Sequence, residues 1–225
     1  MKIDEKQLKI IPEPTLRRLP KYIHLLNRLK TDKIKQISSS TIAEELGLDS
    51  IQVRKDLAVT GIIGKPKIGF DLDELLTTLN HTLNWDNNVD AFLIGAGSLG
   101  SAIAGFKDFT SYGLNIIAAF DNDPSKIGTL ANGVEILPIE KLADMISRMH
   151  INIGVITVPP EAAQKIADIM VEAGIMAIWN FAPIHLKVSK DIIVENAQLS
   201  HSLGVLTHKL AEKLKSEIEN NSTKQ

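Results

Sequence analysis

Three glycines spaced Gly95-x-Gly97-x-x-Gly100 follow the apolar run from Val89 to Ile94. That order of strand, glycine turn and small-residue helix serves a dinucleotide. The first glycine permits a tight turn, the second lets backbone approach a pyrophosphate, and the third allows close packing of helix on strand. The helix start then favours the phosphate charge. A second apolar strand, Asn115–Phe120, ends at Asp121, 21 residues after Gly100. An acid at that place accepts hydrogen bonds from the hydroxyls of an adenosine ribose. The next residues, Asn122 and Asp123, bring no arginine for a 2′-phosphate, so NAD(H) is expected over NADP(H). The expected contacts are Gly95, Ala96, Gly97, Ser98, Leu99 and Gly100 in the turn, with Asp121, Asn122 and Lys126 beyond the second strand.

A second chemistry lies nearer the N-terminus, in SSSTIAEELGLDSIQVRKDLAVTG. Thr41 and Glu44 fit a capping box, and Gly47 fits a helix stop. A second helix is expected from Asp49 or Ser50 to Gly61. Two short helices joined by a tight turn make the helix-turn-helix pattern. On the second helix Val53, Leu57 and Thr60 share one face, with Ser50 nearby, while Ile51, Gln52, Arg54 and Lys55 point elsewhere. Those outward side chains are of the types that read base edges, bind phosphate and touch thymine methyls. GKPKIGF, residues 64–70, then reads as a short basic hairpin, which completes a winged helix. Ser50, Gln52, Arg54, Lys55, Lys65 and Lys67 are the expected contacts to double-stranded DNA.

The charge supports that division. Residues 1–70 hold 14 Lys/Arg against 8 Asp/Glu, and residues 71–225 hold 11 against 19. A basic head on an acidic body of 225 residues suggests two domains with different partners, the basic one facing phosphate. Ahead of the helix-turn-helix, Leu16, Leu19, Ile23, Leu26 and Leu29 recur at helical spacing, with Pro14 near the start and Pro20 inside the run. DLDELLTTLNHTLNW, within residues 71–88, is expected to be a connecting helix.

Beyond Asp121 further strands are expected at Val134–Leu137, Ile151–Val158 and Ile175–Phe181, with an edge strand at Ile192–Val194 and a helix at about 161–173. Alternating strands and helices imply a mostly parallel, doubly wound α/β sheet of the Rossmann kind. Ligands on such sheets lie beyond the C-terminal strand ends. That places Thr157, Val158, Pro159, Asn180 and Phe181 by the nicotinamide half of a cofactor. The last segment, about Ala197 to Glu219, is one long helix with a stripe of Leu199, Leu203, Leu206, Leu210 and Leu214. The stripe must be buried on its own domain or on a partner chain. The expected division is a winged-helix domain over 1–75, a Rossmann domain over 76–195, and a dimerisation helix and tail over 196–225.

Catalysis and metal binding find little support. The chain has no cysteine, and its six histidines form no ligand or base motif with a neighbouring acid. Neither a nucleophile elbow nor a phosphate-binding lysine loop occurs. No catalytic and no metal-binding residue is therefore expected. No apolar run reaches the length that spans a membrane, and a cytoplasmic protein is expected.

IPEPTLRRLPKY, SSSTIAEELGLDSIQVRKDL, GAGSLG, FDNDPSKIG, TVPPEAAQKIAD and WNFAP together resemble the Rex family of redox-sensing transcriptional repressors, over about residues 12–215. The resemblance implies a homodimer that exchanges its C-terminal helices and binds an inverted-repeat operator at genes of fermentation and respiration. It implies release of DNA on NADH binding, with NAD+ competing. Arg54 and Lys55 match the family's recognition-helix cations. The family usually has Ser-Tyr-Phe-Gly after the recognition helix, where this chain has Ala58-Val59-Thr60-Gly61. The wing departs as well, at Pro66-Lys67-Ile68-Gly69-Phe70, so a shifted operator preference is expected. The family's switch uses a tyrosine, an aspartate and an arginine, whose places are taken here by Phe106, Gln198 and His24. A weakened redox discrimination is the expected result. Two alternatives stay open on the sequence: a small NAD-dependent oxidoreductase with a basic N-terminal module, and a DNA-binding paralogue whose nucleotide site is structural.

Overall fold

The computed structural model describes residues 11–197 and 199–222. The chain divides into two compact units. One runs to Asn88 and takes in Ser111–Gly113, and the other holds the rest.

The N-terminal unit comprises α1 (Glu13–Leu16), α2 (Leu19–Thr31), β1 (Gln36–Ile37), α3 (Ser39–Leu46), α4 (Ser50–Thr60), β2 (Phe70–Asp71) and α5 (Leu72–Thr82). The leucine-rich run expected as one helix is two. Pro20 has no N–H and its ring would strike the carbonyl of Leu16, so the helix stops and restarts with the proline in its first turn. Ser38, not Thr41, caps α3; its hydroxyl accepts from the Thr41 amide at 3.0 Å. Thr41 is thus the third residue of the helix rather than its cap. Asp49 caps α4, and Gly47 and Gly61 end α3 and α4 in left-handed conformation as expected.

The core of this unit joins Leu19, Tyr22 and Leu26 of α2, Ile42 of α3, Val53 and Leu57 of α4, and Leu72, Leu75 and Leu79 of α5. Helix α5 is therefore a member of this core rather than a connector, and the division falls after Asn88 rather than at 75. The wing is a tight turn closed by the Lys65–Gly69 bridge, with Lys67 at φ 63° at its tip. Its return strand β2 pairs antiparallel with β1, Ile37 opposite Phe70.

The second unit holds β3 (Val89–Ile94), α6 (Ser98–Ala104), β4 (Leu114–Asp121), β5 (Leu130–Ala131), β6 (Val134–Pro138), α7 (Leu142–Met149), β7 (Ile153–Ile156), α8 (Pro160–Ala173), β8 (Ala177–Asn180), β9 (Ile193–Asn196) and α9 (Leu199–Ser222). The sheet order is β5-β6-β4-β3-β7-β8-β9, with all pairs parallel except β5–β6. Side chains alternate along β3. Phe92 and Ile94 enter one layer with Phe120, Leu142 and Ile166, and Ala91 and Leu93 enter the other with Ile103 and Val155. Burial on both faces is why the strands read as continuous apolar runs. Helix α7 and the short strand β5 are elements that the sequence reading did not assign. On α9, Leu203, Leu206, Leu210 and Leu214 are 50–65% exposed in the single chain.

Candidate nucleotide cleft and nucleic-acid interface

A cleft of about 940 Å³ opens at the C-terminal ends of β3, β4, β7 and β8. Its rim is built by the glycine turn. The Gly95 amide donates to the Phe120 carbonyl at 2.8 Å, and the Thr157 amide donates to Ile94 at 2.8 Å, which locks three strand ends together. The Thr157 hydroxyl also donates to the Gly95 carbonyl at 2.7 Å. A Cβ at Gly100 would lie 1.9 Å from the Gly95 carbonyl oxygen, so α6 can approach β3 only because that residue has no side chain. Gly97 is the opposite case: a Cβ there would meet nothing within 4 Å, and the residue opens onto the cleft. The two glycines thus serve packing and access respectively, as their spacing predicts.

Asp121 is 7% exposed. Its Oδ2 accepts from the Ala96 amide at 2.8 Å and from Lys126 Nζ at 3.1 Å, and its Oδ1 accepts from the Asp123 amide at 2.9 Å. Burial pushes its pKa up, but the hydrogen bonds from Asp123, Lys126 and Ala96 outweigh it and hold the carboxyl below its ordinary value. The group is ionised at neutral pH and ties the glycine turn to the end of β4. Oδ1 accepts this one hydrogen bond and keeps a second acceptor position.

Of the expected cofactor contacts, Gly95, Gly97, Ser98, Leu99, Asp121, Asn122, Lys126, Thr157, Val158, Pro159 and Phe181 line the cleft. Ala96 and Gly100 are buried behind its rim. Asn180 is a correction. It is fully buried and spends its amide on its own loop and the neighbouring strand. Nδ2 donates to Ala182 O (3.1 Å), Ile184 O (3.0 Å) and Asn196 Oδ1 (2.9 Å), and Oδ1 accepts from the Ala182 amide (3.0 Å). It positions Phe181 and Ala182 rather than facing the cleft. The sequence reading missed Ile139 and Glu140 after β6 and Lys165 and Ile169 on α8, all of which line the cleft. Ala162, Lys165, Ile166 and Ile169 recur at helical spacing just after Pro159, and that pattern could have found the α8 wall. Polar groups at the turn and apolar walls of Ile94, Val158 and Ile166 suit a ligand with a charged middle and flat apolar ends. Among the described residues no group of His, Asp and Glu is placed to hold a metal ion.

The recognition-type helix α4 is fixed from beneath by Asp56, which is 1% exposed. Its carboxylate accepts from Thr15 Oγ1 (2.9 Å), Arg18 Nε (2.6 Å) and Nη2 (2.8 Å), Tyr22 OH (2.6 Å) and Gln52 Nε2 (2.9 Å). Burial raises the Asp56 pKa, but these donors, Arg18 first, bring it down to about 2. The network corrects the reading of Gln52, whose amide donor turns back to Asp56 instead of outward. Ser50 is half-buried, while Arg54, Lys55, Lys65 and Lys67 are exposed. Of the three switch positions, His24 is exposed on α2 with its ring edge-on to Tyr112 at 5.9 Å. The Phe106 ring packs tilted against Phe109 at 4.7 Å, and Gln198 lies outside the described residues.

Two family models match the chain: "Putative DNA-binding protein N-terminus" over residues 10–58 and "CoA binding domain" over residues 86–184. The redox-sensing transcriptional repressor Rex of Treponema denticola is 43% identical over 198 residues, covering 88% of this chain and 94% of its own. The chain belongs to the Rex family. Among solved structures, the Rex-family repressor RSP in complex with β-NAD+ and operator DNA matches with a TM-score of 0.86 at 38% identity, over 94% of this chain and 98% of that one. RSP in complex with β-NADH matches with a TM-score of 0.83 at 38% identity, over 93% and 99%. The Rex fold accounts for both halves of the sequence reading, a DNA-binding N-terminal unit and a Rossmann-type sheet. No helix among the described residues is long and apolar enough to cross a membrane.

Proposed function

We propose that this chain is an NAD(H)-responsive, DNA-binding transcriptional repressor that senses the cellular NADH/NAD+ balance in the cytoplasm. The observation that carries the reading is the pairing in one Rex chain of two sites. One is the glycine-rimmed cleft with its buried, ionised Asp121, and the other is α4 with exposed Arg54 and Lys55 on a rigid base. In the cleft, Gly97 gives the pyrophosphate its approach, Asp121 receives the adenosine ribose, and Thr157, Val158, Pro159 and Phe181 face the nicotinamide half. Bound nucleotide acts as an effector, and the chain's residues bind and orient it without a chemical step.

On α9, the exposed stripe of Leu203, Leu206, Leu210 and Leu214 supports a homodimer built through the terminal helices. A symmetric dimer reads an inverted repeat with half-sites set by whole turns of DNA. Lys65 and Lys67 on the wing add phosphate contacts.

Redox discrimination is weaker here than the family pattern implies. Phe106 has no hydroxyl and Gln198 has no charge, so the hydroxyl and the anion of the family's switch are both missing here. A ligand shifts an equilibrium only by its differential affinity for the two states. The test is a DNA-binding titration across NADH:NAD+ ratios on fragments selected from random DNA. Tight binding that NADH weakens supports the reading, and a hundredfold gap between saturating NADH and saturating NAD+ refutes the weakened switch. Failure to select any fragment refutes the repressor assignment.

A further inference from the structure

Ile51 stands in the first turn of α4 and is 57% exposed, although a β-branched aliphatic side chain has a large apolar area to bury. It belongs to none of the buried clusters of its unit. Its place on the helix is specific. At about 100° per residue, Arg54 lies about 60° to one side of Ile51 and Lys55 about 40° to the other. Val53 and Leu57, the buried residues, lie on the opposite face. Ile51 is thus flanked by two exposed cations at the N-terminal end of α4, the end from which a recognition helix reaches base edges. Gln52, the neighbouring amide that would read adenine, is held back by Asp56.

Resting on the DNA-binding reading of α4, we propose that Ile51 is a specificity-determining residue that packs on the C5 methyl of one thymine in each operator half-site. The cations supply the phosphate attraction that the partner must satisfy, which commits the apolar spot between them to nucleic acid. Thymine carries the one apolar group in the major-groove code. Cytosine offers a polar amino group and would leave the isoleucine without an apolar partner.

The test replaces each thymine of a selected operator by deoxyuridine, one position per half-site at a time, and measures affinity for the parent and for Ile51→Ala. Deoxyuridine removes the methyl and keeps the base pair. The expected result is one position per half-site at which the parent loses about fourfold per half-site, or about fifteenfold for both. Ile51→Ala should lose nothing further there and should still respond like the parent elsewhere. NADH binding by Ile51→Ala, unchanged from the parent, shows that the chain is folded. A parent insensitive to deoxyuridine at every position overturns the proposal, as does sensitivity that persists undiminished in Ile51→Ala. If the parent binds no duplex at all, the DNA-binding reading falls and takes this inference with it.

Discussion

Replacing Asp56 with asparagine keeps the shape of the side chain and removes its charge. The native carboxylate is 1% exposed, and both oxygens accept only from donors: Thr15, Arg18 and Gln52 on Oδ1, and Arg18 and Tyr22 on Oδ2. An asparagine satisfies one oxygen's partners and points its amide hydrogens at the donors of the other. Arg18 then loses its counter-ion. Breaking a buried pair from one side costs about 3–5 kcal/mol, and the 23% exposure of the arginine side chain favours the low end. A loss of about 3 kcal/mol is expected at pH 7. The acid limb gives an independent check. The folded pKa of about 2 lies below the ordinary aspartate value of 3.8, so this contribution is complete above pH about 4 and is lost as pH falls toward 2. That titration amounts to about 2 kcal/mol and is absent from the variant. Urea unfolding followed by residue-resolved NMR signals of α2 and α4 measures the N-terminal unit by itself. Parent and variant should differ by about 3 kcal/mol at pH 7, with the gap narrowing as the pH is lowered to 2. A gap under 1 kcal/mol, or one that does not change with pH, would refute the role given to Asp56.

Arg54→Ala and Lys55→Ala should each weaken operator binding. Where the cation pairs with a phosphate, its removal should lower the slope of log affinity against log salt by about 1. Parent-like binding by both variants at several salt concentrations would remove α4 from the interface. Gly100→Ala should abolish NADH binding in calorimetry, because the added methyl would lie 1.9 Å from the Gly95 carbonyl oxygen and force the turn apart; parent-like affinity would show that the turn is not the site. The parent should bind NADH well ahead of NADPH, and Asp121→Ala should erode that preference by weakening NADH. Equal affinity of the parent for both would be incompatible with the role given to Asp121.

What the sequence made legible was what a local pattern encodes. The spacing of Gly95, Gly97 and Gly100 predicted the turn because its closest approach, of Gly100 to the Gly95 carbonyl oxygen, lies within the motif itself. The inward face of α4 was readable because Val53 and Leu57 follow helical period. Strand β1 was not readable, because two residues become a strand only by pairing with Phe70 and Asp71. Asp56 reads as one more surface acid in RKDL until Thr15, Arg18 and Tyr22, 34 to 41 residues earlier, fold over it. Asn180 likewise looks like a cleft residue because it ends a strand, but the carbonyls of Ala182 and Ile184 and the side chain of Asn196 turn its amide away. Helix α7 does carry a local signal, in the helical spacing of Leu142, Met145, Ile146 and Met149, so its absence from the expected elements has no long-range cause.

The aromatic row in the second unit gives the protein an optical property. Trp179 lies with its ring 5.3 Å from Phe109 and 4.7 Å from Phe181, and Phe181 is part of the cleft wall. Indole emission overlaps the near-ultraviolet absorption band of a dihydronicotinamide, and an oxidised nicotinamide ring has no such band. Resonance energy transfer from Trp179 therefore reports the reduced ligand and is silent toward the oxidised one. Trp85, the second tryptophan, packs against Tyr112 in the other unit, and Trp179→Phe would isolate its emission. The oxidation state of the bound nucleotide can thus be followed by the protein's own fluorescence, with no label attached.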